Sequence, residues 1–162
     1  MSLPAEQLQV EYSVSAEDME LNLSEVDPLY RQHYDEMRER MSEAGVELSP
    51  YNPRYEVYFD YHRNGGLLHF VLRYNSEAVG YCNIYITNDM HNQDLIAQED
   101  TIFVVKEHRN GAGRLLSQFV HEDLKQRGVK RMSVTTATDL RVFKWLKRQG
   151  YKHTAHHMTI TF

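Results

Sequence analysis

The chain has 162 residues, of which 41% are hydrophobic and 25% are charged, and its formal net charge is −5. This length predicts one globular domain over residues 1–162, with residues 1–7 loosely ordered. The acidic balance argues against nucleic acid or an anionic membrane as a partner. No apolar run reaches the roughly 20 residues that span a bilayer, and the first residues lack the features of a signal peptide. The single cysteine, Cys82, rules out a disulfide framework and predicts a reducing, cytoplasmic location.

Three segments precede the first long strand. Alternating apolar residues predict a short strand over residues 9–15. Asp27 followed by Pro28 is typical of a helix start, and Gly45 is typical of its end. Residues 49–61 contain two prolines and four tyrosines without a clear period, so they form either a packed surface loop or the lining of a pocket.

The rest of the chain predicts a regular succession of strands and helices. Helices are expected over residues 111–126 and from a cap at Thr138 or Asp139 to Gly150. Strands are expected over residues 67–74, 78–87, 95–105, 131–136 and 157–162. The short turn between the strands over residues 67–74 and 78–87 predicts that these two strands pair antiparallel. A β-α-β unit follows them. The order predicts an α/β (α+β mixed) fold, with helices on the faces of a mixed sheet.

Residues 101–116 form the most informative segment. A buried strand runs into Gly111-Ala112-Gly113, and an amphipathic helix leaves that turn. Free N–H groups at a helix start favour an anion, and the glycines let a phosphate come close. Arg109 and Arg114 flank the turn and can add charge-assisted hydrogen bonds. Neither a P-loop nor a dinucleotide fingerprint is present, so the pattern predicts a phosphate-binding turn of another kind.

These features resemble the GNAT superfamily of acyl-CoA-dependent N-acetyltransferases. In that family a valine-rich strand precedes [QR]-x-x-G-x-[GA], and a further strand, a helix start near Asn and a Gly-aromatic pair follow. The matching segments here are Phe103-Val104-Val105, the turn from Arg109 to Gly113, Val134-Thr135, Asp139 and Gly150-Tyr151. The resemblance implies a mostly antiparallel central sheet that is splayed at the cofactor site and flanked by helices on both faces.

The resemblance also implies an activity and a cofactor. The chain would transfer an acetyl group from acetyl-CoA to a primary amine of a small molecule or peptide, by direct attack in a ternary complex. A backbone N–H of the valine-rich strand would polarise the thioester oxygen. Family members also pair through edge strands, which allows a homodimer. The implied cofactor-binding residues are Phe103, Val104, Val105, His108, Arg109, Asn110, Gly111, Ala112, Gly113, Arg114, Leu115, Thr136, Asp139 and Phe143.

Two acidic residues are candidates for the catalytic base. Glu99 and Asp100 lie next to each other on a predicted strand, so they point to opposite faces and one at most serves a given site. By spacing, Asp100 resembles the acidic residue that many relatives use, often through a water. The alternative is that one of them is a solvated residue at the start of the strand.

Three positions depart from the family pattern. His108 stands where Arg or Gln is usual, and it either contacts phosphate or is exposed. Asp139 replaces Asn, and Leu146 stands where many relatives carry a tyrosine that protonates the leaving thiolate. These departures leave two rival hypotheses: a catalytically silent acyl-CoA-binding sensor or scaffold, and a mixed α/β domain without a cofactor.

The remaining polar residues predict no metal site. His153, His156 and His157 lie close in sequence, but neighbouring residues of a strand alternate between faces, and no Cys, His or acidic spacing completes a zinc set. Cys82 is expected to be a small core residue.

Overall fold

The computed structural model of the chain describes residues 11–136 and 139–162. Apart from one helix over Tyr55–Arg63 that the sequence analysis did not predict, the strands and helices of these residues follow the predicted order up to the last helix. They are β1 Tyr12–Ala16, α1 Leu23–Glu43, α2 Tyr55–Arg63, β2 Leu67–Tyr74, β3 Glu77–Asn88, β4 Leu95–Val104, a short 3-10 helix Lys106–His108, α3 Ala112–Gln126, β5 Arg131–Ser133 and α4 Leu140–Arg148. The predicted α/β fold class is confirmed.

The chain folds into two compact units. The first contains the described residues up to Tyr30 and Pro53–Val134, and it holds the whole sheet. The second contains Arg31–Asn52 and Thr135–Phe162, and it holds most of α1 together with α4. A single domain over residues 1–162 stays a prediction, and residues 1–7 lie outside the described part of the chain.

The sheet has the strand order β1-β2-β3-β4-β5. The first four strands are antiparallel neighbours, as the short turns between them require. The pair β4–β5 is parallel and has only three partners in register, from Ile96↔Arg131 to Gln98↔Ser133. The sheet is therefore mixed and mostly antiparallel.

Strand alternation divides the first unit into two layers. Phe70, Cys82 and Ile84 belong to one buried cluster with Leu116 and Val120 of α3. The residues between them in sequence point to the opposite face, which packs against α2 and the start of α1. That second face contains the buried residues Leu67, His69, Val71, Tyr81 and Asn83.

The first helix begins earlier than predicted. It starts at Leu23, so Asp27 is not its N-cap and Pro28 lies inside it. The helix follows a turn in which Asp18 Oδ1 accepts hydrogen bonds from the amides of Glu20 and Leu21. The Asp27 carboxylate instead accepts a hydrogen bond from the Tyr55 hydroxyl.

The segment from residue 49 to 61 contains a helix that the sequence analysis missed. Helix α2 starts at Tyr55, after the second proline, and has no side-chain cap. Its residues are largely aromatic or β-branched and have weak intrinsic helix propensity. Packing of its tyrosines against the sheet therefore decides its structure.

The predicted final strand over residues 157–162 is wrong. These residues have no regular secondary structure, and Met158, Ile160 and Phe162 are exposed. Alternation indicates which side chains would share a face, but a strand also needs an edge to pair with. Strand β5 is likewise shorter than predicted, ending at Ser133 rather than at residue 136.

Candidate active site

A gap opens between β4 and β5 in the first unit. Their pairing ends at Gln98↔Ser133, but β4 continues to Val104 and stays paired with β3 on its other side, up to Gly80↔Val104. Residues 99–104 thus have no β5 partner along one backbone edge. We call this region the β4–β5 gap.

The hydrogen-bond ladder shows which N–H groups face this gap. The amide of Val105 donates to Val79 O over 2.9 Å, so it points towards β3. In an antiparallel ladder the direction alternates from one residue to the next. The N–H of Phe103 therefore also points to β3, whereas the N–H of Val104 points to the gap. Of the three predicted backbone donors, Val104 is the one whose N–H faces the gap.

The chain leaves β4 through a tight turn into α3. Gly111 precedes the helix with φ 112°, a left-handed conformation that suits glycine, and no side chain caps the helix start. A Cβ built on Gly113 would lie 3.8 Å from Val104 Cγ2, so this residue adjoins the end of β4. The first turn of α3 thus has uncapped amides next to the β4–β5 gap.

Two arginines flank the turn in different ways. Arg109 Nε donates to Val104 O over 2.7 Å, and its guanidinium carbon lies 5.3 Å from the centre of the Phe103 ring. Arg114 is exposed in the first turn of α3. Arg109 therefore joins the turn to the end of β4, and Arg114 adds positive charge at the helix start.

His108 and Asn110 attach the turn to β1. Asn110 Nδ2 donates to the Tyr12 hydroxyl oxygen over 3.2 Å, and that hydroxyl lies 2.7 Å from His108 Nδ1. The Tyr12 hydroxyl therefore lies between the side chains of Asn110 and His108. The His108 ring also contacts the Tyr74 ring, with centroids 4.9 Å apart. His108 is therefore a half-buried anchor of the turn rather than an exposed residue.

Asp100 occupies a β-bulge. Thr101 is opposite Asn83 and Glu99 is opposite Ile84, so Asp100 is the extra residue of β4. Burial raises the pKa of Asp100 and Tyr58 of α2 opposes this rise, whereas Glu99 shares the face of the core residue Ile84. The two acidic residues thus face opposite sides of the sheet.

The surroundings of Asp100 suit a base. Its Oδ2 atom is buried and has no hydrogen-bond partner. Burial raises the pKa of Asp100 above its ordinary value of 3.8, although the hydrogen bond from Tyr58 opposes this rise. A carboxylate with a raised pKa binds a proton more readily than an exposed one.

Three predicted cofactor residues lie in the second unit. Asp139, one of the two predicted caps, caps α4, and its Oδ1 accepts hydrogen bonds from the amides of Arg141 and Val142. The other predicted cap, Thr138, lies outside the described residues. Burial opposes ionisation of Asp139, but these bonds outweigh it and lower the pKa. The Phe143 ring contacts the His153 ring edge-on, with centroids 5.4 Å apart, and Thr136 is half-buried outside any helix or strand. Their role in cofactor binding stays a prediction.

The described residues contain no group of three or more His, Cys, Asp or Glu side chains that could hold a metal ion. The rings of His153 and His156 contact each other edge-on, with centroids 4.8 Å apart. None of the helices in the described ranges is long and apolar enough to cross a membrane.

Sequence reasoning missed Tyr58 and Tyr85 as parts of the site. Burial raises the pKa of both Asp100 and Tyr85, and Tyr58 acts in the opposite direction on each. The sequence did contain a signal for Tyr58. Tyr58 and Tyr61 follow Tyr55 by three and six residues, a spacing that places all three on one side of a helix.

Several solved structures are similar to the chain. A Pyrococcus furiosus protein named as an acetyl transferase is 26% identical, with 94% of this chain and 100% of that chain covered and a TM-score of 0.65. An aminoglycoside acetyltransferase from an uncultured soil metagenomic sample is 14% identical, with coverage of 96% and 99% and a TM-score of 0.69. A ribosomal-protein-alanine N-acetyltransferase from Brucella melitensis is 14% identical, with coverage of 93% and 99% and a TM-score of 0.67. No curated protein sequence matches the chain significantly.

The sequence model of the acetyltransferase (GNAT) family matches residues 27–151. This range includes the β4–β5 gap, the glycine turn and Asp100. The fold is also that of the solved acetyltransferases, over nearly the whole length of each. The chain therefore belongs to the acetyltransferase (GNAT) family and is an acyltransferase.

Proposed function

We propose that the chain transfers an acetyl group from acetyl-CoA to a primary amine, by direct attack in a ternary complex. The observation that carries the proposal is the open edge of β4 at residues 99–104, which residues 105–111 join to the uncapped first turn of α3. A hydrogen-bond donor for a thioester oxygen and a set of donors for a diphosphate thus lie on one continuous segment.

The residues of this segment fit acetyl-CoA. Gly113 has no Cβ, so a phosphate can approach the backbone there, and the exposed Arg114 can pair with its charge. The amides of Ala112 and Gly113, with the Arg109 side chain of the same turn, complete the proposed diphosphate site. His108 stays a predicted cofactor residue. The other predicted cofactor residues are Asn110, Gly111, Leu115, Phe103, Val105, Thr136, Asp139 and Phe143.

The protein contributes two groups to the reaction. Bound acetyl-CoA supplies the acetyl thioester. The Val104 N–H donates a hydrogen bond to the oxygen on which negative charge develops. Asp100 receives the proton that the amine loses as it attacks. Glu99, on the opposite face of β4, is the weaker candidate for this base.

The leaving thiolate takes its proton from solvent or from the product ammonium. Leu146 stands where many relatives have a tyrosine, so the usual acid is missing from this chain. The same observation favours the second candidate function, a silent acyl-CoA-binding sensor or scaffold.

The acceptor is proposed to be an amine of a small molecule or a peptide. Relatives named for aminoglycosides and for ribosomal-protein alanine represent these two classes. The net charge of −5 favours a cationic acceptor. We also propose that the protein works in the cytoplasm, since its one cysteine is free and buried. A homodimer stays a prediction of the family resemblance.

Thiol release from acetyl-CoA in the presence of a mixed panel of amines tests the activity, and a thermal shift with acetyl-CoA tests binding. Gly113→Glu places a negative charge in the proposed phosphate site and is expected to abolish the shift. Gln118→Glu adds the same charge to an exposed position of α3 and serves as the matched control. A shift without thiol release for any amine would favour the silent domain, and no shift would contradict both functions.

A further inference from the structure

A single tyrosine hydroxyl joins the glycine turn to the far edge of the sheet. Tyr12 is the first residue of β1 and lies opposite Tyr74 of β2. Asn110 Nδ2 donates to the Tyr12 hydroxyl oxygen over 3.2 Å, and His108 Nδ1 lies 2.7 Å from the same oxygen. We call these two contacts the Tyr12 clamp. The clamp holds the turn by the residues on either side of Arg109.

The ring that carries this hydroxyl is fixed in the core. Tyr12 is buried and belongs to the same apolar cluster as Leu116 of α3. Its ring centroid lies 4.9 Å from that of Tyr74 and 5.7 Å from that of His108. Its backbone is held by the ladder between β1 and β2. Because a close-packed ring on a paired strand has little freedom to move, its hydroxyl is a fixed point for the turn.

The turn depends on this fixed point. Among the described residues, Asn110 Oδ1 is buried and has no hydrogen-bond partner, so the bond of Nδ2 to Tyr12 is what ties this side chain to the sheet. Arg109, the residue before it, donates from Nε to Val104 O over 2.7 Å. Successive side chains thus attach the turn to β1 and to the end of β4. The next residue, Gly111, has a conformationally permissive backbone, so these attachments determine the direction in which α3 begins.

We propose that Tyr12 is a positioning residue that holds the glycine turn in the conformation that binds the diphosphate of acetyl-CoA. The inference rests on the proposed function, in which the amides of Ala112 and Gly113 bind that diphosphate. Tyr12 acts on them through His108 and Asn110. Without the clamp the turn populates other conformations, and the apparent Kd rises as the binding-competent fraction falls.

The clamp should affect cofactor binding and not the reaction at the thioester. The proposed oxyanion donor, Val104, and the proposed base, Asp100, both lie in β4, whose position is set by pairing with β3. Neither residue is attached to the rest of the chain through Tyr12. Loss of the clamp should therefore raise the KM for acetyl-CoA and leave kcat unchanged.

The substitution Tyr12→Phe tests the inference, because it removes the hydroxyl and keeps the ring in the core. We expect the Kd for coenzyme A, measured by isothermal titration calorimetry, to rise about fivefold, as for the net loss of one hydrogen bond. The KM for acetyl-CoA should rise by the same factor. Tyr74→Phe is the matched control, because it removes a hydroxyl from the neighbouring ring and leaves both contacts of the clamp in place. It should change neither constant.

A truncated ligand separates a positioning role from a general loss of structure. Pantetheine has the thiol arm of coenzyme A but no phosphate, so its Kd, measured by ligand-observed NMR, should be the same in Tyr12→Phe and in the unsubstituted chain. Hydrogen exchange of the amides of residues 109–113, measured without cofactor, should be faster in Tyr12→Phe than in Tyr74→Phe. Equal losses of affinity for coenzyme A and pantetheine would overturn the inference.

The same measurements distinguish failure of the inference from failure of the proposed function. An unchanged Kd for coenzyme A in Tyr12→Phe overturns the inference while the proposed function stands. If this Kd rises as expected but no amine releases thiol from acetyl-CoA, acetyl transfer fails while the role of Tyr12 stands. If the unsubstituted chain does not bind coenzyme A, both are wrong.

Discussion

His69 Nδ1 lies 2.7 Å from Asn83 Oδ1 on the buried face of β2 and β3. An amide oxygen only accepts hydrogen bonds, so Nδ1 carries the histidine proton, and Nε2 accepts one from Asn22 Nδ2 at 3.1 Å. Burial lowers the pKa of His69, which keeps the ring neutral near pH 7. Asn83 is also the partner of Thr101, the residue that follows Asp100. A buried polar network thus adjoins the bulge that places the proposed base.

Asn83→Ala should destabilise the fold by about 1–3 kcal/mol, because the buried Nδ1–H of His69 loses its near acceptor and keeps only the Tyr30 hydroxyl at 3.5 Å. Urea unfolding monitored by circular dichroism measures the change. Asn88→Ala, at the exposed end of the same strand, should cost clearly less. Equal losses for the two variants would contradict the importance of this contact.

Arg73→Lys should lower stability at pH 7 by about 1 kcal/mol, because a lysine cannot make the two parallel bonds of the guanidinium. Arg73 Nε and Nη2 each lie 2.8 Å from a Glu17 carboxylate oxygen. Arg63→Lys is the control, because Arg63 Nε and Nη2 both donate to a single oxygen of Glu20, Oε2, in a more exposed place. That variant should change stability little.

The effect of Arg73→Lys should also depend on pH. The hydrogen bond from Arg73 lowers the pKa of Glu17 from 4.5 to about 2, despite the opposing effect of burial. Since the folded pKa lies below the unfolded one, this stabilisation is present above pH 4.5 and is lost as the pH falls towards 2. Urea titrations at several pH values should show the difference between variant and parent shrinking over that range. A constant difference would count against the pairing.

Asp100→Asn should make the protein more stable at pH 7 while it severely reduces turnover. Burial raises the pKa of Asp100 in the folded protein. The protonated side chain therefore stabilises the fold below pH 3.8, and this contribution is lost as the pH rises through the folded-state pKa. Asparagine removes the charge and still accepts the hydrogen bond of Tyr58. A rise in Tm of about 2–4 °C, equivalent to about 1 kcal/mol, is expected at pH 7.

The same comparison has two checks. The gain in Tm should be smaller at acidic pH, where Asp100 is protonated, and Asp60→Asn on the exposed side of α2 should give little gain. Acetyl-CoA should still shift Tm in Asp100→Asn. Unchanged turnover in this variant would remove Asp100 from the mechanism.

Arg109→Gln and Arg114→Gln should have different effects. Loss of the bond from Arg109 Nε to Val104 O should lower Tm without cofactor by about 2–4 °C, equivalent to about 1 kcal/mol. Arg114 is exposed, so its substitution should leave that Tm unchanged. Both should raise the KM for acetyl-CoA, and for Arg114 the effect should diminish at high salt. A lower Tm for Arg114→Gln than for Arg109→Gln would reverse the assigned roles.

Much of the sheet could be predicted from local sequence signals. The turn at Asn75 and Ser76 is one such signal, because both residues adopt positive φ, 47° and 72°, between strands found where alternation predicted them. The glycine turn is another, with Gly111 at positive φ just before α3. In both places the conformation depends on the residues themselves and their immediate neighbours.

Other features depended on distant partners. Helix α2 has little helical propensity of its own, and it forms where tyrosines pack on the sheet. The strand expected at residues 157–162 has the alternation of a strand but pairs with no edge in the described part of the chain. Periodicity determines which side chains can share a face, and pairing determines whether the strand exists.

By itself the sequence determined the order of most elements, the glycine turn and the pair of acidic residues next to each other on β4. Only the tertiary structure decided that Val104 directs its N–H to the β4–β5 gap and that Asp100 is the extra residue of a bulge. The physical reason is register. A single extra residue in β4 opposite Asn83 and Ile84 shifts the register of the ladder there, and such a shift results from pairing between strands that no local pattern encodes.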